Sequence, residues 1–176
     1  MLFRSRTIFK LQATPVAPPV TEHDHHPGMA MPEPPKDTGE SYRVGAFICY
    51  ESVFPDEVRW FALNGAQVFV NISNDGWFGE SGAPGQHLNM ARMRAIENNR
   101  WLLRSTNTGI TGSIDPYGRV VARAERNTRV ALNAPYAMIT ETTFYTRHGD
   151  WLAYACAIIS LVALLVRFNL RAAVLR

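Results

Sequence analysis

A chain of 176 residues that is 47% apolar and 19% charged is long enough for one medium domain with a real core and too short for two of ordinary size. Its formal net charge of +3 comes from scattered arginines, and no basic tract alternates with aromatics, which argues against nucleic-acid binding. The two cysteines, Cys49 and Cys156, sit in a strand-like run and an apolar tail; this argues against a disulfide between them, and the spacing fits no metal site.

Residues 1–14 hold Arg4, Arg6 and an apolar stretch too short and interrupted for a signal peptide, so they read as the truncated start of a domain. Residues 15–41 form a proline-rich loop whose seven prolines remove amide donors and block helix. Within it His23, Asp24, His25 and His26 cluster, and a solvated loop is favoured over a metal site because nothing there orients the ligands.

The run Arg43 to Ser52, R-V-G-A-F-I-C-Y-E-S, is strand-like and delivers Cys49 to the point where the strand stops. Two readings stay open. Cys49 is a nucleophile on a sharp strand-to-helix turn, where backbone amides face a developing oxyanion, or it is a small buried hydrophobe.

Phe54-Pro55 followed by Asp56 and Glu57 opens a helix that puts Val58, Phe61, Ala62 and Leu63 on one face and closes at Asn64-Gly65. Ala66 to Ile72 is a further strand, and the order strand, helix, strand predicts a parallel pair in an α/β domain. Ser73 to Pro84, S-N-D-G-W-F-G-E-S-G-A-P, lies beyond that strand's carboxyl end, where ligands of α/β sheets collect. Asn74 and Asp75 belong either to a site or to an Asx turn, and Trp77 with Phe78 either to a pocket or to a core plug. The spacing predicts a second helix over 86–98, with Leu88, Ala91, Ala95 and Ile96 inward and Met90 and Met93 as packing. Strands follow at 101–106, 110–114 and 119–124, with turns at Asn107-Thr108-Gly109 and Asp115-Pro116-Tyr117-Gly118; Val130 to Thr140 is a weak edge strand.

Trp151 to Val166 carries no charge. Its sixteen residues span about 24 Å as helix, and with Arg167 snorkelling the run extends toward the roughly 30 Å of a bilayer core. The lack of a polar face predicts a membrane span over 150–170 rather than a core helix. Arg167, Arg171 and Arg176 then make the carboxyl end cytoplasmic by the positive-inside rule, with the Cys49 domain on the other side.

Together, G-A-F-I-C-Y-E, S-N-D-G-W-F-G, Q-H-L-N-M-A-R-M-R-A-I-E-N-N-R, L-R-S-T-N-T-G-I-T, D-P-Y-G-R and Y-T-R-H-G-D-W before an apolar helix closely resemble one family. Residues 42–168 are similar to the carboxy-terminal part of the bacterial apolipoprotein N-acyltransferases, membrane-anchored members of the carbon-nitrogen hydrolase (nitrilase-like) superfamily. The resemblance implies an α/β fold, here a partial α-β-β-α sandwich over 42–148 followed by one carboxy-terminal transmembrane helix. It also implies a domain on the periplasmic side of the inner membrane, with a phospholipid as acyl donor, a lipidated lipoprotein as acceptor and no cofactor.

On that mapping Cys49 is the nucleophile, the Tyr50 amide an oxyanion donor and Glu51 a supporting residue, while Asn74, Asp75, Trp77, Phe78 and His87 form the substrate-binding set. The family's general-base glutamate and its lysine lie upstream of the cysteine and have no match here; Lys10 and Glu33 are the nearest substitutes, in unmatched contexts. The expectation is therefore a chain that needs an upstream segment for activity. The competing expectations are an amidase-type hydrolase, for which the apolar helix is superfluous, and an inactive membrane-tethered remnant.

Overall fold

The computed structural model describes residues 8–12 and 41–174, in which six strands form one mixed sheet ordered as they occur along the chain. These are β1 (Ile8–Gln12), β2 (Ser41–Ile48), β3 (Val68–Ser73), β4 (Leu102–Thr106), β5 (Gly112–Ile114) and β6 (Val120–Arg123). β2, β3 and β4 run parallel, with Ile48 opposite Ile72 and Ser73 opposite Thr106, so their carboxyl ends lie side by side. β1 pairs antiparallel with β2 at one edge, and β4, β5 and β6 form the antiparallel section at the other. The proline-rich loop and its histidine cluster lie outside the described residues.

Two crossover helices, α1 (Pro55–Leu63) and α2 (Ala83–Asn98), cover one face of the sheet. The core between them holds Phe47, Val58, Phe61, Phe69, Leu88, Leu102 and Ile114, with Phe47 edge-on to Phe69 at 5.7 Å between ring centres. Gly45 lets α1 approach: a Cβ there would stand 2.8 Å from the Phe61 Cβ. On the other face, Ile48 and Ile72 are exposed.

A short helix α3 (Phe144–His148), capped by the Thr143 hydroxyl accepting from the Thr146 amide, leads into α4 (Trp151–Val174). Thr146 donates to the Asn98 side chain at 3.0 Å and the Arg59 guanidinium donates to the Thr146 carbonyl at 3.1 Å, which ties the base of α4 to both crossover helices. Arg100, fully buried, adds a second tie by donating to the carbonyls of Ala66, Asn98, Asn99 and Glu141.

Several local expectations need correction. Residues 130–140 form no strand: Pro135 has no amide donor, and the segment is held by an Ile139 amide bond to the Gln67 carbonyl and a Ser113 hydroxyl bond to the Pro135 carbonyl. α2 begins three residues early because Pro84 is tolerated in a first turn. Leu63, Met90, Met93 and Ile96 are exposed, while Arg94 is buried, since its head donates to the Val53 carbonyl and pairs with Glu97 at 2.6 Å. Leu88, Ala91 and Ala95 face the core as the apolar periodicity predicts, and His87, Arg94 and Asn98 are buried beside them because each has a polar partner, which that periodicity does not register.

Candidate active site

β2 is extended through Ile48, and at Cys49 the backbone turns sharply to φ 48° and enters a 3₁₀ turn, Cys49–Val53. A non-glycine residue in this left-handed region costs of order 1–3 kcal/mol and persists only where its surroundings impose it. One constraint is local: the Glu51 carboxylate reaches back to accept from the Ile48 amide at 2.6 Å. The sulfur of Cys49 lies 3.9 Å from the Asn74 carbonyl at the carboxyl end of β3, which places the cysteine beside the glycine-rich loop.

The stronger constraint acts on the Cys49 carbonyl. It accepts from the Ser52 hydroxyl at 3.1 Å, from His87 Nε2 at 3.2 Å and from Asn71 Nδ2 at 3.4 Å. These donors come from the 3₁₀ turn, α2 and β3, so three separate elements meet at one oxygen. Behind them His87 Nδ1 stands 2.9 Å from Asp75 Oδ1 and 3.0 Å from Arg104 Nη2. Arg104 pairs with Asp75 Oδ2 at 3.0 Å and donates to the Asn71 side-chain oxygen, and Ser73 donates to Asp75 Oδ1 at 2.6 Å. The result is a closed polar cluster under the cysteine turn, with Asp75, His87 and Arg104 each at least 97% buried.

A charge placed so deep survives only when paired and hydrogen-bonded. Burial by itself would raise the Asp75 carboxyl, but the Ser73 hydroxyl, the Arg104 charge and His87 outweigh it and hold the group below its ordinary range. Burial pushes Arg104 down, against the opposing pull of Asp75 and of the Cys49 sulfur, so the cation stands within electrostatic reach of the thiol. Gly109 closes the far side of the cluster: a Cβ there would fall 2.0 Å from Asp75 Oδ2.

The outer rim is apolar. Trp77 is 87% exposed and Tyr50 is 55% exposed, so Trp77 is no core plug. Phe78 is half-buried, edge-on to the His87 ring at 5.9 Å, and Tyr50 lies 6.2 Å from the same ring on a tilt. Asn74 makes the Asx turn, accepting from the Gly76 amide at 3.0 Å and from Asn107 at 2.6 Å.

The fold thus gathers Cys49, Tyr50, Glu51, Asn74, Asp75, Phe78 and His87, with Trp77 outermost. The expectation that Asp75 and His87 contact substrate meets a different placement, since both are interior and bonded to the protein itself. Sequence reasoning passed over Ser52, Asn71, Ser73 and Arg104. A signal was present for three of them: Asn71 and Ser73 alternate with Phe69, and Arg104 with Leu102, putting polar side chains at core-facing positions of two inner strands. Lys10 lies in β1 with its backbone opposite Arg43, and Glu33 falls outside the described residues. Among the described residues no group of three His, Cys, Asp or Glu side chains could hold a metal ion.

The carbon-nitrogen hydrolase family profile matches residues 3–138. Apolipoprotein N-acyltransferases of Geobacter metallireducens and Pseudomonas aeruginosa are each 41% identical, over 120 and 129 residues, or 68% and 73% of this chain. That of Thermotoga maritima is 37% identical over 130 residues. These alignments cover 23–26% of the relatives, so the chain spans about a quarter of their length. Among solved structures, a carbon-nitrogen hydrolase from Helicobacter pylori G27 aligns over 50% of this chain and 38% of its own, with a TM-score of 0.46 and 18% identity.

Proposed function

The chain belongs to the carbon-nitrogen hydrolase family, and from that premise we propose that it carries the nucleophile of an apolipoprotein N-acyltransferase. Cys49 Sγ attacks the ester carbonyl of a phospholipid, the carbonyl oxygen becomes an oxyanion facing the Tyr50 amide, and collapse expels the lysophospholipid alcohol to leave a thioester. The α-amino group of a lipoprotein's lipidated amino-terminal cysteine then attacks the thioester, which forms the amide and returns the thiol. The thiolate is the reactive form, so the proton lost by Cys49 ends on the departing lysophospholipid oxygen, and the proton lost by the attacking amine restores the thiol in the second step.

The observation that carries this reading is Cys49 itself, held at φ 48° at the carboxyl end of an inner parallel strand. Trp77, Phe78 and Tyr50 supply an apolar rim suited to an acyl chain, and Asn74 shapes the loop that bears the first two. Glu51 supports the nucleophile by capping the cysteine turn. Trp151–Phe168, with mean hydropathy 2.1 and no part of it buried, is long and apolar enough to cross a membrane. In this reading it does so in the bacterial inner membrane, with Arg167 at the cytoplasmic end and the Cys49 domain at the periplasmic face, beside its phospholipid donor.

The experiment is incubation of the detergent-solubilised chain with phospholipid, with or without co-expression of the upstream part of a relative. Mass spectrometry should find a hydroxylamine-labile acyl group on Cys49, absent in Cys49→Ala, that passes to a diacylated peptide amine. Transfer that persists in Cys49→Ala overturns the proposal. Release as free fatty acid, with no acylated amine, assigns the chain to hydrolysis instead.

A further inference from the structure

Ser52, His87 and Asp75 stand in a line that, by distance alone, matches a serine-histidine-aspartate relay: Ser52 Oγ is 3.0 Å from His87 Nε2, and His87 Nδ1 is 2.9 Å from Asp75 Oδ1. Its chemistry is different. Ser52 is fully buried, and its one hydrogen is directed at the Cys49 carbonyl, so it is neither accessible nor free to attack. The Cys49 carbonyl, an acceptor only, faces His87 Nε2 and the Arg104 guanidinium, a donor only, faces Nδ1 at 3.0 Å; the two contacts together favour the hydrogen on Nε2, whereas a relay histidine receives a proton there. With the nitrogen committed as a donor, the line cannot run as a base. It can fix an oxygen in space.

We infer that Asp75, His87 and Arg104 are positioning residues, a buried charged wedge that grips the Cys49 carbonyl through His87 and Ser52 and so holds the cysteine in its left-handed turn. The inference rests on the reading of Cys49 as the nucleophile and adds the device that orients it. Arg104 fixes the wedge from β4 by pairing with Asp75 and bonding Asn71, whose amide is the third donor to the same carbonyl. Arg104, itself held by Asp75, donates to the imidazole at Nδ1, and Phe78 and Tyr50 lie against the ring on its outer side. Loss of the Nε2 donor frees the carbonyl, lets the strained residue relax and swings the sulfur away from its productive direction.

The test is the rate of Cys49 alkylation by iodoacetamide in the full chain in detergent, with Cys156 in the same molecules as internal reference and the thermal midpoint recorded for each variant. His87→Leu should slow Cys49 by about tenfold or more, the scale on which displacement of a reacting group is felt, and leave Cys156 unchanged. His87→Gln, which keeps an N–H near the Nε2 position, should recover most of the rate. A purely space-filling histidine predicts that Leu and Gln behave alike, and that outcome, or a wild-type rate in His87→Leu, overturns the inference. Should His87→Leu fail to fold, Ser52→Ala decides the matter: a slowed Cys49 supports the wedge and an unchanged one overturns it. Alkylation needs no acyl donor, so this result is independent of whether phospholipid ever acylates Cys49.

Discussion

α2 and α4 invert each other. α2 turns His87, Arg94 and Asn98 inward and leaves Met90, Met93 and Ile96 exposed, whereas α4 exposes an almost wholly apolar surface through Phe168 and buries none of it. Apolar content therefore does not say which way a helix faces. In α2 the buried polar groups have partners: His87 meets Asp75, Arg104 of β4 and the cysteine turn, Arg94 meets the Val53 carbonyl and Glu97, and Asn98 meets the Arg94 carbonyl and Thr146 of α3, which offset the cost of leaving water. Trp151 at the start of α4 stands edge-on to the Phe144 ring at 5.9 Å, and among the described residues nothing buries the apolar surface beyond it, which is long and apolar enough to cross a membrane.

Breaking the wedge behind α2 should give the largest effect. Arg104→Leu leaves the Asp75 carboxylate buried without its cation, and removal of one partner of a buried pair costs about 3–5 kcal/mol. Denaturant unfolding of the detergent-solubilised chain measures this directly. A loss below about 1 kcal/mol would mean that the cluster is better hydrated than its burial indicates.

Met93 and Leu161 sharpen the comparison because they are similarly exposed, at 48% and 57%. Leu161→Arg should disfavour membrane insertion by about 2.5–3.5 kcal/mol, read as a higher fraction released by alkaline carbonate extraction. Met93→Gln, on the water-facing side of α2, should change stability by no more than about 0.5 kcal/mol and leave extraction unaltered. Equal effects at the two positions would remove the distinction between the helices.

Much of this architecture is legible in the chain. The Pro55 start and the Asn64-Gly65 stop of α1, the turns at 107–109 and 115–118, and the inner strands announce themselves through short-range chemistry that needs no partner. Val130 to Thr140 misled because its β-branched residues suit a strand, while Pro135 lacks an amide donor and no strand among the described residues pairs with it. β1 was not anticipated, since a short strand at a sheet edge takes its identity from the neighbour it pairs with.

By itself the sequence determined the order of elements, the apolar helix at 151–166 and the family, because periodicity, turn residues and motif order are properties of neighbours along the chain. It also marked Cys49 as the residue where the strand stops. Only the tertiary structure decided that Cys49 is bent to positive φ, and that Asp75 and His87 stand behind it, joined to Ser52, Asn71 and Arg104. The reason is physical: these residues span 49 to 104, and their contacts exist only because parallel strands bring distant carboxyl ends to one edge, where an aspartate and an arginine can neutralise one another beside a histidine in the interior.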